Sequence, residues 1–220
     1  MKGYDGKEVI VESGDKPGEI SEGEGHMKRI PMSTGWSIEE ENNLLQISAD
    51  SPMRGGNLSL LVPFHTSLIL RDVNDGISVT GVEGEIDVNT VNGSVTLKDI
   101  SGNAIAHAQN GRILVTFNRI DPQKPMAFSS LNGAIDVTFP PDLKANVTLR
   151  TDNGEAYTDF DVQMQPNAPP QVKNEEGAHG GKYRVRIDKT VHGTINGGGQ
   201  EIQMTNFNGN IYLRKAGKAQ

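Results

Sequence analysis

The chain has no cysteine, which excludes disulfides, thiolate metal sites and a cysteine nucleophile. Aromatic residues are scarce. Six Phe, four Tyr and the single Trp36 among 220 residues do not supply a deep aromatic pocket for sugars or bases. No apolar run approaches the roughly 18 residues of a membrane-spanning helix. No signal-peptide pattern is visible either. The chain opens at Met1-Lys2-Gly3, just ahead of the strand-like Lys7–Val11, as would a natural cytosolic start or a chain whose leader has been removed.

Positive charge is also in short supply. Lys and Arg number 21 against 28 Asp and Glu, a formal net charge of −7. Residues 1–50 hold eleven acidic and five basic side chains, whereas residues 51–220 hold seventeen and sixteen. No basic field exists to attract a phosphate backbone, so nucleic acid is not an expected partner. Hydrophobic residues make up 35% of the chain and glycines number 26. That balance suits a thin, repetitive β structure, in which each short strand buries every second residue.

The N-terminal part has weak periodicity. Residues 13–35 are rich in Gly, Glu and Pro and read as an irregular loop. Between Ile38 and Ser48, Glu39–Glu41 favour a helix. Asn42-Asn43 instead marks a turn, and Leu44–Ile47 would follow it as the second strand of a hairpin. The hairpin is the preferred reading. Leu58–Leu70 is apolar and strand-like, interrupted by Pro63.

From Asp75 onward a repeat emerges. Asn-Gly pairs occur at Asn92-Gly93, Asn110-Gly111, Asn132-Gly133, Asn153-Gly154, Asn196-Gly197 and Asn208-Gly209, and the first three gaps are 18, 22 and 21 residues. Gly84 and Gly102 fall half-way, and the second and fourth residues after each such glycine are apolar. Val95 and Leu97, Ile113 and Val115, Ile135 and Val137, and Ile211 and Leu213 all follow this rule. Alternation of this kind marks half-buried strands. Asn-Gly suits a tight corner because both residues tolerate positive φ. A hairpin meander would use it in type I′ turns. A solenoid would use it as a recurring corner with stacked asparagines. Because Asn-Gly marks every second boundary, the unit is two strands long. The expectation is therefore an all-β, single-stranded β-solenoid with Val95, Ile113 and Ile135 in one layer; a meander or sandwich is the alternative. The pattern has faults: Ile77 and Val79 fall one step out of register after Gly76. Residues 116–131 carry an insertion with Pro122 and Pro125, and residues 163–181 read as a long loop. The alternating strand Lys182–Ile187 follows, its basic face a solvated sheet surface or, alternatively, a site for an anionic polymer.

The stretch Val91–Ile113, together with Leu143–Gly154 and Ile195–Lys215, resembles a bacterial adhesin-like family of β-strand-repeat proteins, domains of unknown function sometimes called toast-rack domains. The likeness spans about residues 58–215. It implies a solenoid-like β fold in an exported or envelope setting (periplasm, outer membrane or cell surface, given a leader absent here), and it implies no catalytic residues. On that basis residues 1–50 form an acidic, strand-containing cap and residues 51–220 the repeat domain. Arg214, Lys215 and Lys218 would guard the far end against stacking. The expected molecule is a monomeric, non-catalytic module that binds a protein or glycan of the envelope. A polysaccharide-acting enzyme and a self-assembling scaffold are the alternatives.

Candidate chemistry is thin, and no catalytic, metal or cofactor residue is assigned. His26, His65, His107, His179 and His192 lack ligand spacing, although His179 and His192 flank the charged strand and would form a metal pair if they met. Asp152, Glu155, Asp159 and Asp161 gather near one corner, where oxygen ligands would suit calcium, yet without an EF-hand spacing. Glu85 and Asp87 stand on outward strand positions, like the carboxylates of solenoid glycan-cleaving enzymes. Gly197-Gly198-Gly199 reads as a corner. The inward and outward assignment is testable. Ile113→Asp places an unpaired charge in the core and should cost several kcal/mol, whereas Thr96→Asp should cost little; equal losses of Tm would contradict the assignment.

Overall fold

A computed structural model of the chain describes residues 6–11, 36–41, 44–49, 58–165 and 190–217. They contain strands and no helix. The strands are β1 (Gly6–Val11), β2 (Trp36–Glu41), β3 (Leu44–Ala49), β4 (Leu58–Pro63), β5 (Leu68–Asp72), β6 (Ile77–Thr80), β7 (Glu83–Thr90), β8 (Val95–Asn110) and β9 (Ile113–Ile120). They continue with β10 (Met126–Asn132), β11 (Ile135–Phe139), β12 (Ala145–Asn153), β13 (Ala156–Thr158), β14 (Val162–Met164), β15 (Val191–Ile195), β16 (Gln200–Asn208) and β17 (Ile211–Lys215). No helix among these residues is long and apolar enough to cross a membrane. The expected hairpin forms: β2 and β3 pair antiparallel, with Ile38 opposite Ile47.

All other strands join one curled, mixed sheet. Its repeat region is two parallel rows. In the first, Ile77, Val95, Ile113, Ile135, Ile211 and Ala156 lie side by side on β6, β8, β9, β11, β17 and β13. In the second, Val88, Ala106, Phe128, Met204 and Leu149 align on β7, β8, β10, β16 and β12, with Leu70 of β5 at the front. The layer of Val95, Ile113 and Ile135 is as expected. Parallel pairing excludes a hairpin meander for these strands, since neighbours in a meander run antiparallel. Strand β8 belongs to both rows and bends between them, where Asp99 has φ 53° and Gly102 φ 109°. Inward side chains of both rows build one hydrophobic cluster, in which Phe117 stacks on Phe139 at 5.1 Å and meets Phe128 edge-on.

Ile77 and Val79 are not out of register. They pair with Val95 and Leu97, and Asn74-Asp75 occupies the place of the next unit's Asn92-Gly93. The side-chain amides of the corner asparagines form a ladder. Asn92 donates to Asn74 at 3.5 Å, Asn110 to Asn92 at 3.0 Å, Asn132 to Asn110 at 2.8 Å, Asn208 to Asn132 at 2.7 Å and Asn153 to Asn208 at 3.0 Å. The expected stacking of asparagines is therefore present, but none of these asparagines has positive φ; among the ladder-corner glycines Gly133 (151°) and Gly209 (139°) do. Asparagine is there for its amide, and glycine is there for closeness. A Cβ on Gly111 would lie 1.9 Å from the Gly93 carbonyl oxygen, and one on Gly133 2.2 Å from that of Gly111. Among the Asn-Gly pairs, Asn196-Gly197, followed by Gly198, is the one in which the asparagine too is left-handed, with φ of 50°, 83° and 85° along the three residues.

The stack does not follow chain order. β16 and β17 insert between β10–β11 and β12–β13, so Arg214 and Lys215 sit inside the stack rather than guarding its end; Lys218 lies outside the described residues. Nor is the sheet wholly parallel. At the front, β1 pairs antiparallel with β4 and β6. At the back, β15 pairs antiparallel with β12, and β14 with β15. The physical reason is that a terminal rung exposes a row of unpaired backbone donors and acceptors, and a returning strand satisfies them most directly. Because β14 covers Val162–Met164, the loop expected over 163–181 starts later than the sequence suggested. The rest of that loop and Lys182–Ile187 lie outside the described residues.

Inside each corner a short polar side chain donates to a carbonyl of the neighbouring rung: Thr90 to Asp75, Ser130 to Gly111, Asn206 to Gly133 and Thr151 to Gly209. Ala108, 3% exposed, holds the equivalent place opposite Ser130 and Thr90 and has no hydroxyl. Ala108→Ser should therefore restore the missing bond to Gly93 and raise stability by about 0.5–1.5 kcal/mol. A lowered melting temperature would show that this corner differs from the other four.

Candidate functional site

Outward side chains from β7, β8, β9 and the β9–β10 turn surround an open cleft of about 410 Å³. Period-two alternation puts Glu83 and Glu85 on one face of β7, roughly 6.6 Å apart along the strand. Asn103 of β8 is in register with Glu85, and Arg119 of β9 with Ser101, which in turn faces Glu83. Arg119 reaches back over the intervening rung to Glu83 at 2.6 Å, and Lys124 makes an ion pair with Glu85. Two ion pairs thus run side by side across the rungs, with the Gly84 and Gly102 backbone among the residues between them. Glycine is required at this bend, because a Cβ on Gly102 would lie 2.3 Å from the Gly84 carbonyl oxygen.

One wall owes its existence to the irregularity of the sequence. The Asn110–Asn132 spacing exceeds the Asn92–Asn110 spacing by four residues, and the excess forms the turn Asp121–Pro125. Asp121 anchors it: its N–H donates to the Gly102 carbonyl, and its carboxylate accepts from the Gln123 N–H at 3.0 Å. Pro122 and Lys124 are thereby laid against the cleft. The bond from Lys124 to Glu85 holds the ammonium above the ordinary lysine pKa.

The residues singled out in the sequence are mostly committed elsewhere. Glu85 is in the cleft, but Asp87 is not: Arg71 grips it through two bonds of 3.0 and 2.7 Å. Each of these carboxylates therefore has its own cation, and they do not form an acid–base pair. His107 shares a hydrogen bond with Ser129 Oγ, and His192 Nδ1 lies 3.2 Å from Thr148 Oγ1. His65 is exposed, 4.0 Å from Glu83. His26 and His179 lie outside the described residues, so the His179–His192 pair does too. The acidic corner does not converge. Asp152 pairs with Arg150, Glu155 accepts from Tyr157, and Asp159 accepts from the Lys215 N–H. Asp161 is exposed. Among the described residues, no three His, Asp or Glu side chains gather at a metal-sized site.

Sequence reasoning missed Asn103, Arg119, Lys124 and Asp136. Asp136 is almost fully buried on the outer face of the first row, held by Arg112 at 2.8 Å and by Arg214 at 2.8 and 3.3 Å. Arg214 in turn lies over Tyr212, which stacks on Tyr157 at 5.3 Å. The available signal was the insertion between Asn110 and Asn132, which the repeat does not need.

No family model matches the chain, and no curated protein or solved structure matches it either.

The Arg71–Asp87 bond makes a pH-dependent prediction. Hydrogen bonding from Arg71 holds the Asp87 carboxyl below its ordinary value. Its contribution to stability is present above the unfolded-state pKa of about 3.9 and is lost as pH falls through the lower folded value. In Arg71→Ala, the NMR titration midpoint of Asp87 should rise toward the ordinary carboxyl value. An unchanged midpoint would mean the pair does not persist in solution.

Proposed function

We propose that this protein is a non-catalytic β-solenoid scaffold of the cell envelope or surface that presents its outer face to another macromolecule. The observation that carries this reading is the asparagine ladder. Five amide–amide bonds tie six rungs into one parallel stack, an arrangement that maximises regular outer surface per residue and leaves little enclosed volume for chemistry. The neutralised carboxylates support it further: Glu83, Glu85, Asp87 and Asp136 are each paired with Arg or Lys. An acid kept protonated for glycoside chemistry needs the opposite environment, desolvated and remote from cations.

The envelope setting rests on the resemblance of residues 58–215 to adhesin-like strand repeats. The role of residues 1–50 as a cap is supported by β1, which lies antiparallel along β6, the leading strand of the first row. The test is turnover. The full chain incubated with polysaccharides, esters and peptides should release no product. Reproducible glycan cleavage that disappears in Glu85→Gln or Asp87→Asn would replace the scaffold reading with an enzymatic one.

A further inference from the structure

Asn103 is 8% exposed and lines the cleft between the two ion pairs, yet its side-chain amide makes no hydrogen bond to any described residue. By contrast, the inward-facing Asn206 donates its amide N–H to Gly133, and the ladder asparagines bond to one another. The residue is packed in place by its neighbours while its amide atoms stay open to the cleft, so the partner the amide lacks within the fold can be supplied only from the solvent side. Here the amide has two donors and an acceptor oxygen turned to a groove rather than to the core, because residues 86, 104 and 106 take the inward positions on the same two strands.

The surrounding chemistry selects the ligand. Two carboxylates alternate with a guanidinium and an ammonium, and each charge is already compensated by its neighbour. A free anion would have to displace Glu83 or Glu85 from its cation, and a metal ion would have to displace Arg119 or Lys124. A neutral ligand displaces neither. It would need groups that donate to a carboxylate and accept from a cation at the same time, which is the property of a hydroxyl. Ile120 and Pro122, at the end of the cleft, add a small apolar surface of the kind that meets the C–H face of a sugar ring. The cleft has no deep apolar pocket for the side chains that give peptides their specificity. Its volume of about 410 Å³ falls at the lower end of the ~300–1,000 Å³ typical of ligand sites.

We propose that the cleft between Glu83–Arg119 and Glu85–Lys124 is a binding site for a neutral saccharide, anchored by the Asn103 amide. The proposal rests on the non-catalytic binding role above and gives it a place and a ligand class. Glu83 and Glu85 accept from ligand hydroxyls, Arg119 and Lys124 donate to them, and the Asn103 amide bonds a hydroxyl at the floor. The turn Asp121–Pro125 sets the length of the site.

The test is an NMR titration of the ¹⁵N-labelled full chain with maltose, cellobiose, lactose, sucrose and diacetylchitobiose. Inorganic phosphate, calcium chloride and a pool of uncharged peptides are the comparison probes. At least one saccharide should shift the Gly84, Gly102 and Asn103 signals together. Asn103→Leu, similar in shape, should weaken that saccharide at least tenfold while leaving Tm unchanged or higher, because it removes an unpartnered polar group. The site is overturned if no saccharide shifts these signals, if the shifts survive Asn103→Leu, or if phosphate, calcium or peptide produces them instead. A lower Tm in Asn103→Leu also overturns it, since the amide would then be a structural group. Mass spectrometry of the same samples separates the two readings. Intact sugar with shifted signals supports both, cleaved sugar supports the site and sinks the non-catalytic role, and shifts confined to another face sink the site alone.

Discussion

An asparagine side chain carries two donors and an acceptor oxygen on one planar amide, so a column of them can pass a hydrogen bond from each member to the next only if the members repeat at the sheet spacing of about 4.8 Å. The corners meet that requirement, and much of the structure follows from it. All five ladder bonds run in the same sense from rung to rung, and bonds aligned in series polarise one another. The geometry holds only if the next residue brings the backbones together. Gly93, Gly111, Gly133, Gly209 and Gly154 do so, each standing where a Cβ would collide with the carbonyl of the neighbouring corner. Side chain and backbone thus impose the same register, and a register shift would break both at once.

With register held at the corners, a thin core is sufficient. Each rung contributes only a few inward side chains, such as Val95 and Leu97 or Ile135 and Val137, all fully buried, and each such burial contributes about 1.5–3 kcal/mol. Aromatic weight is concentrated where the two rows meet, in Phe117, Phe128 and Phe139. The ends are handled differently, by antiparallel strands. The cleft appears where the repeat departs from its period: four additional residues after β9 leave the outer face and return, and the turn they form encloses space that a perfect repeat would fill with neighbouring strands.

Much of this was legible along the chain. Alternation at residues such as Ile113 and Val115 identified the strands and their inward face, because solvent and core impose a period of two on any half-buried strand. Recurrence of Asn-Gly identified the corners and the stacking of their asparagines; what it did not show is that the asparagines need no positive φ and that the glycines serve chiefly to let neighbouring backbones approach. The cleft was not legible. Glu83 and Arg119 are 36 positions apart and Glu85 and Lys124 39, in a chain where 22% of residues are charged, so nothing local distinguishes these pairs from solvated surface charge. Asn103 looked like any polar strand residue. It became notable only when the packing of the following turn placed it on the lining of the cleft with no partner among the described residues.

The sequence by itself determined the rung: its strand content, its corner and the side chains it turns inward, all short-range consequences of pattern and turn chemistry. It did not determine the order of rungs. The corners of β10, β12 and β16 carry the same Asn-Gly pair, and any of them could continue the ladder, since one asparagine bonds another irrespective of its place in the chain. Tertiary contacts broke that degeneracy. Asp136 on β11 requires a cation on each side, and Arg112, just before β9, and Arg214 on β17 supply them, while Tyr212 stacks on Tyr157 of β13. These contacts fit β17 between β11 and β13. A neutral ladder aligns rungs without distinguishing them, whereas a nearly buried carboxylate, costly unless its charge is matched, has specific neighbours.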